Sequence, residues 1–329
     1  MSERTYQHKV GIVGLGSIFE HQYKALVLLP ESFQVTSLCD INRSSLDKAC
    51  NYITGANNNS NVELFGNIED LLEFGNIDTI IVATPPSTHY ELVRKCLEQG
   101  KNVILEKPAV LIWAQLEDLV NLAHEKNLTL YSAFHAAFAP EVLWYRSNMD
   151  MIRKKYAIGN MVKIEHCFYD NYVVDGILMK GKETLGGSYI DSSVNELSVA
   201  ASLVDLQNYK IQHISKECLA NTETVCRSKL ILVDQQTDMT IECDTDWTLG
   251  VNKKQTQVFY DDGTIVTLDH SSQFASLSGQ TKKMLFAYSG ELSRLVSHYY
   301  CLFKDAALHL NNNMSNGELS LKIHKVLLE

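Results

Sequence analysis

The chain has 329 residues, of which 45% are hydrophobic and 21% charged, and its formal net charge is −10 at pH 7. This is the composition of a folded globular protein long enough to bury a core without disulfides or metals. The acidic balance argues against a nucleic-acid partner or an anionic membrane surface, both of which call on an excess of Lys and Arg. Eight scattered cysteines without a CxxC fit free thiols in a reducing compartment. The opening MSERTYQHKV has no apolar signal segment and no run approaches a membrane span, so a cytoplasmic protein is expected.

In chain order, KVGIVGLG reads as a short buried strand ending in glycines, followed by a helix from about Ser17 to Leu29. QVTSLCD is a second strand, SSLDKACNYI a helix and TIIVATPP a fully buried strand. HYELVRKCLEQG is a helix closed by Gly100, NVILEK a strand, QLEDLVNLAHEKN a helix and LTLYSAFH a strand. Strict alternation predicts βαβ units and a parallel sheet covered on both faces. Beyond about residue 141 the rhythm changes. MVKIEHCFY, KIQHISKECL, KLILVDQ, TDMTIECDTDWTL, KKQTQVFYDDG and GTIVTLDH are successive strand candidates with few helices between, and YDDGTI marks a hairpin. A helical tail covers about Ser289 to Lys304 and then Ser320 to Leu328. The asparagine clusters at 57–61 and 311–313 read as loop tips.

The expected fold class is therefore α/β: an N-terminal doubly wound parallel sheet over 1–134, then an α+β domain over 135–329 with an open, mostly antiparallel sheet, its C-terminal helix expected to pack back on the first domain. Gly11, Gly14 and Gly16 lie between the first strand and the first helix, where a backbone can approach a pyrophosphate. Gly14, Gly16, Ser17 and Ile18 are the expected phosphate cradle. Phe19 fills the last position of the glycine pattern, and core packing explains it equally well. Asp40 ends the second strand about where an acidic residue meets an adenosine ribose, which favours NAD; Arg43 nearby would suit the 2′-phosphate of NADP. Asp40 as the cap of the following turn is the plain structural alternative.

Thr84 and Pro85 break the strand where the second half of a dinucleotide should lie, and His89 follows at the start of a helix. ILEKP ends the next strand with Glu106 and Lys107, and a strand-end lysine in a parallel sheet points at the ligand crevice. Together GIVGLGSI, CD, ATPPSTHYEL and GKNVILEKP resemble the Gfo/Idh/MocA oxidoreductases, typified by glucose–fructose oxidoreductase and inositol dehydrogenase, over essentially the whole chain. The resemblance implies a Rossmann domain, a substrate domain whose sheet forms a homodimer or homotetramer, NAD or NADP as cofactor, a small sugar substrate, and Lys107 beside both nicotinamide and substrate.

GGSYIDSSVNELS carries a departure. The family pattern has glycines, an Asp and a His four residues later; here these positions hold Asp191 and Asn195. An amide cannot shuttle protons at neutral pH. The aldose 1-dehydrogenase branch resembles this chain more closely, with a GG…D…N-x-L arrangement, an aromatic–His pair comparable to Phe134-His135, and a D-W strand before a Gly-containing hairpin. Ala137 stands where that branch usually has Arg. On this reading Asp191 accepts the proton of an anomeric hydroxyl, Lys107 polarises it and Asn195 orients it, giving a lactone; His135 and Tyr169, with Asp170 and Tyr172, are sugar-contact candidates. The alternatives are oxidation of inositol or another ring hydroxyl, and a catalytically inactive nucleotide sensor. For Asp191 the plain structural role is a helix N-cap, for Asn195 a packing amide, and for His135 a core histidine. Trp144 and Trp247 read as core or interface aromatics, and no histidine spacing suits a metal.

Overall fold

A computed structural model describes residues 6–56, 62–220, 222–279 and 282–328. The chain divides into two compact units, Met1–Ala133 with Leu295–Leu321, and Phe134–Arg294 with Lys322–Glu329. The asparagines at 57–61 lie outside the described residues, while Asn311 ends a long helix and Asn312 and Asn313 form the turn after it.

The first unit alternates β1 (His8–Val13), α1 (Phe19–Val27), β2 (Phe33–Cys39), α2 (Arg43–Ala56), β3 (Glu63–Phe65), α3 (Ile68–Phe74), β4 (Thr79–Val82), α4 (His89–Glu98), β5 (Asn102–Glu106), α5 (Trp113–Glu125) and β6 (Leu130–Ala133). Its six strands are all parallel in the order β3-β2-β1-β4-β5-β6. That order reverses at β1 and β4, which opens a crevice at their carboxyl ends. Ile80, Ile81, Val82, Val103 and Leu105 are fully buried, as strands covered on both faces require. Two small elements, β3 and α3, carry too little periodicity to be read from sequence; Asn67 caps α3 by accepting the amide of Asp70 at 2.8 Å.

The second unit holds α6 (Pro140–Tyr156), β7 (Met161–Tyr169), the short pair β8 (Val173–Val174) and β9 (Ile177–Leu178), α7 (Ser188–Asp191) and α8 (Ser193–Leu203). There follow β10 (Tyr209–Cys218), β11 (Val225–Asp234), β12 (Thr240–Asp246), β13 (Lys253–Tyr260), β14 (Ile265–Asp269), β15 (Phe274–Ser278) and β16 (Lys283–Ala287). Eight strands join in the order β10-β11-β12-β7-β13-β14-β15-β16, antiparallel except where β12 meets β7. The hairpin expected at YDDGTI links β13 to β14, with Gly263 at φ +82°. One face of the sheet is covered by α6, α7 and α8, and Ile164, Leu230, Ile241, Val258 and Val266 are fully buried on it.

The 17-residue α6 corrects the expectation of few helices in this half. Its buried residues Val142, Tyr145, Met149 and Ile152 recur at helical spacing, Pro140 stands at its first turn, and three basic residues close its last. The chain ends in α9 (Arg294–Asn311) and α10 (Gly317–Leu328). Most of α9 belongs to the first unit, where Phe303 packs edge-on against Phe33 and Asp305 accepts the Tyr131 hydroxyl at 2.7 Å.

Candidate active site

The β1–α1 turn is shaped by two glycines with different duties. Gly14 has φ +91°, and a Cβ there would stand 2.6 Å from the Ala83 carbonyl oxygen, so the turn lies directly against the end of β4. A Cβ on Gly16 would meet nothing within 4 Å. The amides of Gly16, Ser17 and Ile18 find no acceptor among the described residues, and they stand at the start of α1. Free amides at a helix N-terminus, with open space before them, suit a diphosphate. Phe19 is the core residue: it is 3% exposed and stacks on Tyr23.

Asp40 accepts the Leu15 amide on one carboxylate oxygen at 2.9 Å and the Asn42 amide on the other at 2.8 Å. It therefore caps the turn, as the plain structural reading has it, and each oxygen keeps a lone pair for a ribose hydroxyl. Arg43 opens α2 and pairs with Asp47 at 3.0 Å on the exposed surface.

At the end of β4, Thr84 is half-buried and Pro85 exposed, and the Thr88 hydroxyl donates to Thr84 Oγ1 and to the Pro85 carbonyl, both at 2.8 Å. His89, expected at the cofactor, has no exposed surface. Its Nε2 meets the Thr84 carbonyl at 2.8 Å, and its Nδ1 meets the carbonyls of Pro108 and Ala109 at 3.0 and 3.2 Å. Burial pushes its pKa down, against the opposing pull of the Thr84, Ala109 and Pro108 carbonyls. With both nitrogens engaged, His89 is a tie between the Thr84 turn and the Lys107-Pro108 turn.

Glu106 is likewise structural in its contacts. Its Oε1 accepts Gln22 Nε2 at 2.7 Å and the Tyr299 hydroxyl at 2.6 Å, and its Oε2 accepts the Lys107 amide at 3.2 Å. Burial pushes its pKa up, against the opposing pull of Tyr299, the Lys107 charge and Gln22. Lys107 is half-buried, at the carboxyl end of β5, and its bond to Pro108 is cis.

In the second unit, Gly186 and Gly187 both have φ +84°, and a Cβ on Gly187 would lie 2.7 Å from the Val225 carbonyl oxygen. This contact seats α7 on β11. Asp191, 7% exposed, is the last residue of α7, and the N-cap position of α8 belongs to Ser192, so capping does not account for Asp191. Asn195 is equally buried; its Nδ2 donates to the Asp191 carbonyl at 3.2 Å, and its Oδ1 has no protein partner. His135 lies on a short 3₁₀ turn packed against α8. Tyr169 has its hydroxyl committed to Asp244 at 2.8 Å, on the face of β7 opposite Phe168. Tyr172 is the tyrosine that senses Asp191: burial, then the charges of Asp170 and Asp191, push its pKa up.

The structure also assembles residues that the motifs did not reveal. Lys254 Nζ pairs with Asp170 and donates to the Tyr169 carbonyl at 3.3 Å. The other Asp170 oxygen accepts the Ser192 hydroxyl at 3.4 Å, and Ser192 accepts the indole N–H of Trp247 at 3.1 Å. Trp247 is fully buried, and Trp144 stacks on Phe286, so both are core aromatics. Beneath the sheet, Glu141 Oε1 accepts His270 Nδ1 at 2.6 Å, and Thr256 Oγ1 bridges His270 Nε2 and His166 Nδ1 at 2.8 Å each. Strand alternation is the signal that could have found them, since Lys254 and Thr256 share the inward face of β13 with Val258. Among the described residues, no group of three or more His, Cys, Asp or Glu side chains could hold a metal ion, all eight cysteines are free thiols, and no helix is long and apolar enough to cross a membrane.

Residues 8–134 match the model of the Gfo/Idh/MocA oxidoreductase family, described as an NAD-binding Rossmann fold. A trans-1,2-dihydrobenzene-1,2-diol dehydrogenase of Xenopus tropicalis is 33% identical over 133 residues, 40% of this chain and 38% of that protein. A D-xylose 1-dehydrogenase (NADP(+)) of Hypocrea jecorina is 29% identical over 144 residues, 42% of this chain and 37% of that protein. The aligned segments thus span under two fifths of either relative. Over nearly full length, the fold is that of a 3-ketoreductase from Actinomadura kijaniata solved with NADP and TDP-benzene: TM-score 0.80, 17% identity, 97% of this chain and 95% of that one.

Proposed function

We propose, from the match of residues 8–134 to the Gfo/Idh/MocA oxidoreductase model, that this chain is an NAD(P)-dependent sugar dehydrogenase acting at the anomeric carbon of an aldopyranose. When bound, the nicotinamide supplies the hydride acceptor. Asp191 takes the proton of the C1 hydroxyl, and the Lys107 ammonium donates a hydrogen bond to the same oxygen. The C1–H and O–H bonds break, a C=O bond forms, and the product is a lactone. Asn195 directs the hydroxyl through its Oδ1, which has no hydrogen-bond partner among the described residues. The amides of Gly16, Ser17 and Ile18 hold the diphosphate and Asp40 the adenosine ribose, which favours NAD.

The observation that carries this reading is that Asp191 and Asn195 are both buried, with the Asn195 amide on the Asp191 backbone carbonyl, where the resemblance leads one to expect a histidine. An anomeric hydroxyl is more acidic than an ordinary alcohol, so a carboxylate suffices as base without an imidazole. The similarity to a D-xylose 1-dehydrogenase points the same way. The test is NADH or NADPH formation across aldoses, inositols and sugar acids. Lactone production from an aldose is expected, with turnover falling about 100-fold or more in Lys107→Ala and Asp191→Ala while cofactor binding persists. Oxidation confined to inositols would move the reaction to a ring hydroxyl, and tight nucleotide binding without any turnover would make the chain a sensor.

A further inference from the structure

Lys254 occupies an inward position on β13, where strand alternation calls for an apolar residue, and its side chain is only 14% exposed. Buried lysines persist when they are paired. Its partner is Asp170, whose second oxygen takes the hydroxyl of Ser192, and Ser192 in turn takes the indole N–H of Trp247. Ser192 is the residue that joins α7 to α8, immediately after Asp191. One chain of hydrogen bonds therefore runs from the ammonium to the junction on which Asp191 stands.

We propose that Lys254 is a positioning residue for Asp191: through Asp170 and Ser192 its ammonium fixes the α7–α8 junction on which Asp191 stands. The inference rests on the reading of Asp191 as proton acceptor. The ionisable groups facing this cluster are Asp170 and Tyr172 after β7, Lys254 on β13, Arg294 at the start of α9 and, facing Arg294, Glu141 on α6. Burial pushes the Lys254 pKa down and Asp170 pulls it back; the Arg294 charge pushes it down further, and the Asp191 charge raises it.

Two measurements test this. Lys254→Gln keeps a donor for Asp170 and removes the charge. In that variant the acid limb of kcat/KM for the aldose should rise by about one pH unit, with kcat reduced and the KM for the nicotinamide cofactor unchanged; Lys254→Arg should keep the wild-type limb. An acid limb that stays in place in Lys254→Gln overturns the proposal. The second measurement needs no turnover. The Lys254 ¹³Cε resonance, assigned by its loss in Lys254→Gln, should titrate about half a pH unit or more lower in Asp191→Asn than in the wild type. An unchanged midpoint overturns the proposal. A shifted midpoint in a protein that oxidises no aldose leaves the Lys254–Asp191 link standing and removes the dehydrogenase reading instead. If Lys254→Gln does not fold, Lys254→Met/Asp170→Asn removes the pair without leaving a buried charge. Its kcat should fall about 10-fold or more, and wild-type kcat would overturn the positioning role.

Discussion

A methyl group at Gly14 would press within 2.6 Å of the Ala83 carbonyl oxygen at a backbone angle of φ +91°, whereas one at Gly16 would meet nothing within 4 Å. The two positions should therefore fail differently. Gly14→Ala should cost the protein about 1–3 kcal/mol from strain alone, seen as a lower urea midpoint without nucleotide. Gly16→Ala should keep the wild-type midpoint and weaken NAD(P) binding about 10-fold or more, measured by calorimetry, because the added carbon fills the space before the helix amides. Equal stability in both variants would show that the turn is not packed on β4. These glycines were legible in the sequence because a turn between strand and helix needs them. Asp191 and Asn195 were legible as residues four apart; in the structure the Asn195 amide meets the Asp191 backbone carbonyl across the α7–α8 junction. Lys254 and Asp170 were not, because they meet through the pairing of β7 with β13, residues 84 apart in sequence. His89 reads from the sequence as part of the turn that starts a helix, but only the fold shows that both of its nitrogens turn inward to carbonyls.

The strand β7 shows what an element-level reading can and cannot see. MVKIEHCFY has the alternation of a half-buried strand, and its bounds agree with Met161–Tyr169. Alternation also places His166 inward, but only the fold shows that Thr256 and His270 meet it and that Glu141 of α6 ends the chain of hydrogen bonds. With the Glu141 carboxylate accepting His270 Nδ1–H, Thr256 donates to His270 Nε2 and accepts from His166 Nδ1–H, which leaves His166 Nε2 as a bare acceptor. Burial above all, with His270 as the second cause, pushes the His166 pKa down to about 3. In the unfolded chain it is about 6.5, so the folded form refuses a proton that the unfolded form takes. The contribution of His166 is complete above pH 6.5 and is lost as pH falls towards 3. At pH 5 that loss is about 2 kcal/mol. Urea unfolding at pH 7.5 and pH 5.0 should show the wild type losing about 2 kcal/mol more than His166→Gln, which cannot take the proton. The same loss in both would mean that His166 is protonated in place. The helix α6 was missed although its apolar spacing was present, because the strands that follow it set the expectation for the whole half.

At the scale of the whole chain, the sequence reading divides the molecule at residue 134 and has a C-terminal helix pack back on the first domain; the first unit takes in residues 295–321 from the far end. Val296, Tyr299, Leu302, Phe303 and Leu310 line one side of α9 and are each less than 5% exposed, but an amphipathic helix does not say which sheet it covers. The contacts that decide it are non-local: Phe303 on Phe33, the Tyr299 hydroxyl on Glu106, Asp305 on Tyr131, and Asn311 on His8 at 3.1 Å. Burial of five large side chains at about 1.5–3 kcal/mol each amounts to roughly 8–15 kcal/mol, which is the whole stability of a typical domain. Tyr299 also donates to the Glu106 carboxylate, which is only 7% exposed, so losing the helix would remove one of the hydrogen bonds that offset its burial. A fragment of residues 6–134, although it contains all six strands of the parallel sheet and every residue assigned to the nucleotide, should therefore lack a cooperative urea transition and bind no NAD(P). Co-expression with a second piece covering residues 289–321 should restore both, read by far-UV circular dichroism and by nucleotide calorimetry. Cooperative unfolding of the 6–134 fragment alone would show that α9 only decorates the nucleotide unit, whereas rescue in trans would make it that unit's missing wall.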